Sequence, residues 1–375
     1  MAQYRVAMIP GDGIGPEVTA EAAKVLVEAA HLGGFVMALH EFPLGASFYM
    51  EHGEVLPAAF EEELGDFDAI FLGAVGDPSV APGILERGLV IKLRRVFDQY
   101  INYRPAKLFP GVVSPIIGVS PETCDMVVIR ENTEGLYVGN GAYVHVGTSG
   151  AVATQNSITT GRGTERLLRF GFELAAKRRR RLTLVHKTNV LVHAGQLWLD
   201  VAQKLHREYP AIELDYLHVD AACQHLVLSP ARFDVIVTDN LFGDILSDLT
   251  AVIQGGLGVA AGANLNPERT APSMFEPIHG SAPDIAGKGC ANPAGAILSA
   301  ALLLEHVGEV RMATLVESAV ASVLGELHTV SGTAYATAEI GERVREQLDR
   351  SVATGISRAH FEEAAAGVGE REVHQ

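Results

Sequence analysis

Two aspartates stand one helical turn apart, shortly after a predicted strand. Asp244 and Asp248 belong to the segment DNLFGDILSD at residues 239–248, which follows the apolar run at 235–238. Side chains four residues apart share one face of a helix, and two like charges there are destabilising unless something compensates them. The spacing therefore indicates either a solvated helix end or a site for a hard cation such as Mg²⁺ or Mn²⁺.

A lysine and a third aspartate also follow predicted strands. Lys187 comes one histidine after the apolar run at 182–185, and Asp220 comes just after the predicted strand at 214–218. Open α/β sheets bind ligands at the carboxyl ends of their strands. A lysine shielded from water there can carry a proton and an aspartate can ligate a metal, although ordinary polar strand ends have the same pattern.

Three arginines, Arg94, Arg104 and Arg130, lie in the first half of the chain. A guanidinium group binds a carboxylate through two parallel hydrogen bonds. Three of them would suit a substrate with two carboxylates, whereas each one alone is more typical of a surface salt bridge.

Two glycine-rich loops are candidate cofactor-binding segments. In GDGIGPE at residues 11–17, Pro16 stands where a dinucleotide-binding G-x-G-x-x-G loop needs its third glycine, so this loop by itself is interpreted as a tight turn before a helix. The second loop, at 276–287, leads to Asn292 and another helix. Its backbone can wrap an adenosine, and a carboxylate such as Asp284 can hold ribose hydroxyls.

Short apolar runs alternate with longer amphipathic segments, which is typical of an α/β fold with buried strands. Strands are predicted at 6–9, 69–72, 126–129 and 235–238, and helices at 16–30, 163–176, 194–207, 244–254, 292–305 and 312–326. Residues 136–160, rich in Gly, Thr and Val, alternate like a β-hairpin arm. These elements must bring the chemistry-bearing residues together.

Composition narrows the function classes. The chain has 375 residues, enough for two domains, and 29 Lys and Arg against 45 Asp and Glu give a formal charge of -16, which opposes nucleic acid or an anionic membrane as partner. The basic run at 177–181 is interpreted as a solvated helix end. The three cysteines form no metal-ligand spacing, and a strand is predicted at once after Met1 without a signal-peptide pattern, so we expect a cytoplasmic protein.

Together these segments resemble the β-decarboxylating dehydrogenases, the family of isocitrate, 3-isopropylmalate, homoisocitrate, tartrate and D-malate dehydrogenases. The resemblance covers about residues 4–349. Its markers are GDGIGPE at 11–17, the three arginines, KTN at 187–189, DNLFGDILSD at 239–248 and HGSAPD at 279–284.

The resemblance implies an α/β fold with two domains, outside the Rossmann class, in which the first domain is discontinuous. Residues 1–103 and 257–349 would form a cofactor-binding domain, and 104–256 a substrate and dimerisation domain with the arm near 136–160. Residues 350–375 are expected to be a flexible tail. The protein would be a homodimer.

The resemblance also implies roles for individual residues. Asp244 and Asp248 would bind Mg²⁺ or Mn²⁺ together with Asp220 of the partner subunit, and Arg94, Arg104 and Arg130 would hold the substrate carboxylates. Lys187, also from the partner subunit, would remove the hydroxyl proton, and Tyr137 would protonate the carbon after CO2 is lost. NAD would contact Ile14, Glu276, His279, Gly280, Ser281, Ala282, Asp284, Ile285 and Asn292. Asp284 opposes the 2′-phosphate of NADP.

The segment before Arg94 bears on the substrate. Glu86, Leu89 and Val90 resemble the glutamate and two aliphatic residues of isopropylmalate enzymes, so Leu89 and Val90 are expected to line a pocket for an isopropyl group. The expected reaction is oxidative decarboxylation of 3-isopropylmalate in leucine biosynthesis. One more residue separates Glu86 from Arg94 than in many bacterial relatives, and residues 329–332 lack the usual P-D-L-G.

Three alternatives remain. Residues 98–100, Asp-Gln-Tyr, resemble the tartrate and D-malate group, so another malate-type substrate of the same family is the runner-up. A non-catalytic regulatory subunit could lose ligands freely, yet all the residues named above are present. A metal-dependent phosphotransferase that uses the aspartate pair would need a phosphate loop, and none is seen.

Overall fold

The computed structural model describes residues 1–329 and 335–354. These residues form twelve strands and eleven α-helices. The strands are β1 Gln3–Gly11, β2 Val36–Glu41, β3 Ala69–Ala74, β4 Ile101–Lys107, β5 Asp125–Glu131, β6 Gly141–Val144, β7 Val152–Gln155, β8 Arg181–His186, β9 Glu213–His218, β10 Val235–Thr238, β11 Ala261–Leu265 and β12 Ser273–Pro277. The helices are α1 Gly15–Gly33, α2 Ala46–His52, α3 Ala58–Leu64, α4 Ile91–Val96, α5 Gly161–Ala176, α6 Val192–His206, α7 Val219–Leu228, α8 Asn240–Ile253, α9 Ala294–Val307, α10 Val310–Thr329 and α11 Thr337–Ala353.

Ten strands form one mixed sheet in the order β2-β1-β3-β12-β11-β4-β5-β10-β8-β9. The antiparallel pairs are β11 with β12, β11 with β4, and β4 with β5, and the other neighbours are parallel. Helices cover the sheet, so strands such as β3 are buried along their whole length, which explains their continuous apolar sequence. The predicted α/β class is confirmed.

The predicted helices are present, with ends shifted by a few residues. The first of them, α1, shows why it forms. Pro16 lies in its first turn, where its missing N–H costs nothing, and the helix is followed by Gly34, whose φ of 74° suits glycine. Its apolar face, which includes Val18, Val25 and Leu26, is fully buried in the largest hydrophobic cluster.

The predicted hairpin is also confirmed. Strands β6 and β7 pair antiparallel, separately from the main sheet, and all their residues are exposed. A two-stranded ribbon without a covered face has little stability of its own. Within the described residues, no other element covers either face of this arm.

Three expectations about organisation are not tested by this fold. The domain division stays a prediction, and β4 crosses its boundary at 103/104. The tail expected at 350–375 lies outside the described residues from 355 onward, and α11 includes 350–353. Most of the segment 329–332 also lies outside the described residues. In the described part of the chain, no helix is long and apolar enough to cross a membrane.

Candidate active site

Two of the predicted arginines meet at a buried glutamate. The side chains of Arg94 and Arg104 both donate to Oε1 of Glu276, at 3.1 and 3.3 Å. Asn264 donates to the same oxygen at 2.8 Å, and Asn102 accepts from Nε of Arg104 at 2.7 Å. All three charged side chains are nearly inaccessible to water. The contacts therefore fix both guanidinium groups in place.

The charges of this cluster do not balance. Burial raises the pKa of Glu276, but Arg94 and Arg104 outweigh it and hold that pKa below its ordinary value, so Glu276 is ionised. Burial lowers the pKa of Arg104 to about 10, which still leaves the guanidinium charged at neutral pH. Two buried cations face one anion, and this excess positive charge favours an anionic ligand.

The third arginine lies beside the aspartate pair. Arg130, at the end of β5, donates to Oδ1 of Asp244 on α8, and its Nε and Nη2 atoms donate to Oδ1 of Asn240 at 3.0 and 2.8 Å. The guanidinium also stacks at 5.0 Å over the ring of Tyr137. The Tyr137 hydroxyl donates to Oδ2 of Asp244 at 2.5 Å. Three residues expected at the site are thus in direct contact.

The protonation states of this group are distinct. Burial and the neighbouring Asp244 raise the pKa of Tyr137, so the phenol keeps its proton. Burial alone would raise the pKa of Asp244. The charge of Arg130 and the Tyr137 hydrogen bond outweigh burial and hold that pKa below its ordinary value, so Asp244 is ionised. Burial and the charge of Asp244 raise the pKa of Asp248. Asp248 makes no hydrogen bond or ion pair with the residues that the structure describes.

The aspartate pair fits a divalent cation. Both carboxylates start from one face of α8, and the unpaired Asp248 lies where a second positive charge would relieve its repulsion with Asp244. Within the described parts of this single chain, however, no group of three or more His, Cys, Asp or Glu side chains could hold a metal ion. Asp220 does not join Asp244 and Asp248 in one chain.

Asp220 instead pairs with Lys187. The Lys187 ammonium donates to Oδ1 of Asp220 at 2.5 Å, between the ends of β8 and β9. The Tyr216 hydroxyl accepts from the backbone amide of Thr188 at 3.2 Å and bonds Nδ1 of His218 at 2.9 Å. This hydroxyl therefore ties together the two strand ends that carry Lys187 and Asp220.

The two glycine-rich loops pack against each other. The backbone N–H of Ile14 donates to the Ser281 carbonyl at 2.8 Å. Gly13 has a φ of +59°, and a side chain there would collide with the same carbonyl at 1.9 Å, so only glycine allows this approach. Asp12 accepts from the backbone amides of Ala46 and Gly76 at 2.7 and 2.9 Å. The first loop is thus a tight turn that braces the second.

The remaining expected cofactor residues lie along the second loop. His279 is buried, with Nδ1 3.0 Å from the Gly280 carbonyl and Nε2 without a partner among the described residues. Ile285 is partly buried and Asp284 exposed, without an ion pair or hydrogen bond in the described structure. Asn292 accepts from the first amide of α9 at 3.0 Å. The unpaired Nε2 of His279 and the exposed carboxylate of Asp284 fit a ligand that offers a hydrogen-bond donor to the first and free hydroxyl groups to the second.

The segment before Arg94, which was expected to line the substrate pocket, has a different conformation and burial from those predicted. Residues Glu86–Val90 form one turn of π-helix before α4, in which Glu86 is exposed and Val90 is partly buried. Leu89 is fully buried in a hydrophobic cluster with Ile9 and Phe97. Its side chain packs against the hydrophobic core and lines no open pocket among the described residues.

Sequence reasoning missed several residues that position the site. Asn240 holds Arg130 and lies inside the quoted 239–248 motif, so its place between strand and helix was a usable signal. Asn264 and Asn102 contact the arginine cluster and each other at 2.8 Å, but they are 162 residues apart. Nothing in the sequence alone indicates such a pair.

The fold and this site define a class of protein. A model of the isocitrate/isopropylmalate dehydrogenase family matches residues 5–344, nearly the whole described chain. The chain belongs to this family and is an oxidoreductase of the dehydrogenase type.

Within this family, the chain has high sequence identity to proteins named 3-isopropylmalate dehydrogenase. The chain is 52% identical over 345 residues to the 3-isopropylmalate dehydrogenase of Thermobifida fusca (strain YX), covering 92% of this chain and 97% of that one. It is also 52% identical to the 3-isopropylmalate dehydrogenase of Mycobacterium tuberculosis (strain CDC 1551 / Oshkosh), covering 92% of this chain and all of that one.

Solved structures agree on the fold. The isocitrate dehydrogenase of Methylococcus capsulatus superposes with a TM-score of 0.81 at 36% identity, covering 92% of this chain and 99% of that one. The TT0538 protein of Thermus thermophilus superposes with a TM-score of 0.79 at 34% identity, covering 92% of this chain and 68% of that one.

Proposed function

We propose that this chain catalyses the NAD-dependent oxidative decarboxylation of 3-isopropylmalate to 4-methyl-2-oxopentanoate and CO2, with Mg²⁺ or Mn²⁺. The observation that carries the proposal is the contact of buried Arg130 with Asp244 and Tyr137, in a chain 52% identical to 3-isopropylmalate dehydrogenases. Positive charge, carboxylates and a protonated phenol are the groups that this reaction needs.

Arg94, Arg104 and Arg130 would bind the two substrate carboxylates. Their guanidinium groups are already held by Glu276 and Asn240, so little side-chain entropy is lost when a substrate binds. Because Arg94 and Arg104 share a single carboxylate, Glu276, a substrate carboxylate would compensate the positive charge that this pair leaves unbalanced.

Asp244 and Asp248 would hold the metal with Asp220 from a second copy of the chain. When bound, the metal supplies a Lewis acid for the substrate oxygens and stabilises negative charge during loss of CO2. Asp244 would also orient Tyr137, because it already accepts a hydrogen bond from the Tyr137 hydroxyl.

Two residues would move protons. Lys187 would accept the substrate hydroxyl proton, and NAD, if bound, would supply the hydride acceptor for this oxidation. Tyr137, whose pKa is raised, keeps its proton at neutral pH and would donate it to the carbon that lost CO2. Arg130, stacked on the ring, favours the tyrosinate that forms transiently.

NAD would bind along the two packed loops, from Ile14 to the second-loop residues and Asn292. His279 offers its unpaired Nε2, and the exposed Asp284 offers a carboxylate to ribose hydroxyls. The same negative charge would repel the 2′-phosphate of NADP.

The assembly would be a cytoplasmic homodimer that serves leucine biosynthesis. The exposed β6–β7 arm supports the dimer, and the net charge of -16 argues against nucleic acid and anionic membranes as partners.

Tartrate or D-malate as substrate is less well supported. The residues that suggested this branch have structural partners: Asp98 pairs with Arg166, Gln99 donates to the Pro272 carbonyl, and Tyr100 donates to Glu268. None of these three side chains contacts the arginine cluster.

The test is to incubate the pure protein with NAD, Mn²⁺ and a panel of 2-hydroxy diacids while NADH formation is followed. Burying three extra carbons at about 0.8 kcal/mol each is worth roughly 2.4 kcal/mol, so kcat/KM for 3-isopropylmalate should exceed that for D-malate by on the order of 50-fold. Equal or higher values for D-malate or tartrate would reject the substrate while keeping the reaction class.

A further inference from the structure

Glu17 binds the far end of the second glycine-rich loop. Its carboxylate, in the first turn of α1, accepts hydrogen bonds from the backbone amides of Gly287 and Gly289, the second at 3.1 Å. Among the described residues it is the only acceptor that these two amides have. Both glycines have positive φ, 72° and 62°, and backbone amides in such turns form a concave site for an anion. The carboxylate of Glu17 occupies this site.

The near end of the same loop is attached to the same turn of the chain. The backbone N–H of Ile14 donates to the Ser281 carbonyl at 2.8 Å, and Ile14 is only three residues before Glu17. Asp284 and Ile285, which are expected to contact the cofactor, lie between these two attachments. The beginning of α1 therefore holds both ends of the turn that carries them.

The contact with Glu17 lies at the protein surface. Both hydrogen bonds are exposed, and Glu17 itself is only partly buried. The chain beyond the loop has a second attachment, because Thr337 donates from its backbone amide to the Gly289 carbonyl at 2.8 Å and from its hydroxyl to the Ala291 carbonyl at 2.7 Å. Loss of Glu17 would therefore release the turn at Gly287 while the following chain stays attached to α11. Surface contacts of this kind govern local opening more than global unfolding.

We propose that Glu17 is a positioning residue for the cofactor, which holds the turn at 284–287 in the conformation that binds the ribose. This inference rests on the proposed function, in which NAD binds along the two packed loops. Glu17 acts through the backbone of Gly287 and Gly289. A cofactor that binds only the ordered turn has an apparent Kd equal to its intrinsic Kd divided by the ordered fraction. If loss of Glu17 lowers this fraction to about one tenth, the Kd rises about 10-fold.

The test measures the Kd for NADH by fluorescence titration of the pure protein, which requires no turnover. Glu17→Ala removes both acceptor oxygens and should raise the Kd about 10-fold. Glu17→Gln keeps one acceptor oxygen but places an N–H donor against the other amide, so it should raise the Kd by a smaller factor, about 3-fold. The matched control is Glu28→Gln, since Glu28 is a partly exposed residue of the same helix without a hydrogen bond or ion pair among the described residues. It should leave the Kd unchanged.

Kinetics and stability distinguish positioning from a merely structural role. In Glu17→Ala, the KM for NAD should rise with the Kd, whereas kcat at saturating NAD and the KM for the diacid should stay within about twofold of the wild type. The melting temperature should change by only a few degrees, because the lost contacts are at the surface. A parallel loss of kcat, diacid affinity and melting temperature would show that Glu17 supports the fold in general, and would overturn the proposal.

The outcomes also separate this inference from the proposed function. If the wild-type protein binds no NADH, the proposed function fails and the inference fails with it. If the wild type binds NADH and Glu17→Ala keeps the wild-type Kd, the proposed function stands and the positioning role of Glu17 is overturned. If Glu17→Ala does not fold, the nearly isosteric Glu17→Gln decides, and an unchanged Kd in that variant overturns the role.

Discussion

The Lys187 ammonium and the Asp220 carboxylate form an ion pair, with Nζ and Oδ1 2.5 Å apart. The pair joins the ends of two neighbouring strands, and Asp220 is more than half exposed. In one chain this pair lies apart from the cluster of Arg130, Tyr137 and Asp244. We propose that Lys187 and Asp220 act at the site of a second copy of the chain, since Asp220 does not join Asp244 and Asp248 among the described residues of one chain.

Mixed dimers should therefore recover activity from two inactive variants. Lys187→Ala lacks the proton acceptor and Asp244→Asn lacks a metal ligand, so each homodimer should be inactive. A heterodimer would keep one intact site, and random mixing should restore about one quarter of the wild-type rate. The measurement is NADH formation after the two variants are unfolded and refolded together.

Two controls make this experiment decisive. Each variant refolded alone should remain inactive, and tagged chains should show by pull-down that heterodimers form. Absence of recovery in the presence of heterodimers would mean that each site is built from one chain.

Activity should depend strictly on a divalent cation. Asp248 makes no ion pair with the described residues. Burial and Asp244 raise its pKa more than Arg104 and Arg130 lower it, so a bound cation would relieve the repulsion between the two aspartates. Excess chelator should abolish turnover, and Asp248→Asn should lower kcat/KM by roughly 100-fold or more. Added Mn²⁺ should restore the wild type after chelation.

The matched control is Asp215→Asn, which removes an aspartate that pairs with Arg232 away from the site. It should keep its activity. Full turnover of the wild type in excess chelator would contradict the metal assignment.

Secondary structure could be predicted from the sequence because it depends on local patterns. The apolar runs of β3 and β10, Pro16 at the start of α1 and the alternation in the β6–β7 arm each carry their own signal. The burial of Leu89 could not be predicted, because the π-helical turn at Glu86–Val90 has no local sequence signal and depends on tertiary packing.

The candidate site was predictable where a motif is contiguous and unpredictable where it is assembled from distant strands. Asp244, Asp248 and Asn240 lie in one segment. The convergence of Arg94 and Arg104 on Glu276, by contrast, joins residues more than 170 positions apart in the chain. Only the order of strands in the sheet brings them together.

Cofactor choice should follow the charge at position 284. Asp284 is exposed and unpaired among the described residues, so its carboxylate is available to ribose hydroxyls and would repel a phosphate. The wild type should prefer NAD, and Asp284→Arg should raise kcat/KM for NADP relative to NAD by about 10-fold or more. The control Asp200→Arg makes the same change in net charge on α6 and should leave the preference unaltered. Equal use of both cofactors by the wild type would show that this loop does not face the ribose.

The stability of the fold should depend on pH through His186 and Asp239, which lie 3.7 Å apart and shift in opposite directions. Burial lowers the pKa of His186 from 6.5 to about 4, so between these values the unfolded chain binds a proton that the folded chain does not. This contribution to stability is present above pH 6.5 and is lost as the pH falls toward 4. The loss of unfolding free energy amounts to up to about 3 kcal/mol.

Asp239 has the opposite effect, because burial raises its pKa from 3.8 to about 6. Its contribution is present below pH 3.8 and is lost as the pH rises through 6.

His186→Phe keeps an aromatic ring between Trp198 and Phe242, and it should reduce the loss of unfolding free energy between pH 6.5 and 4. Asp239→Asn should make that loss steeper. Urea unfolding across this range measures both slopes, with His31→Gln, at an exposed histidine, as the control that should follow the wild type. Parallel curves for His186→Phe and the wild type would show that His186 does not titrate differently on folding.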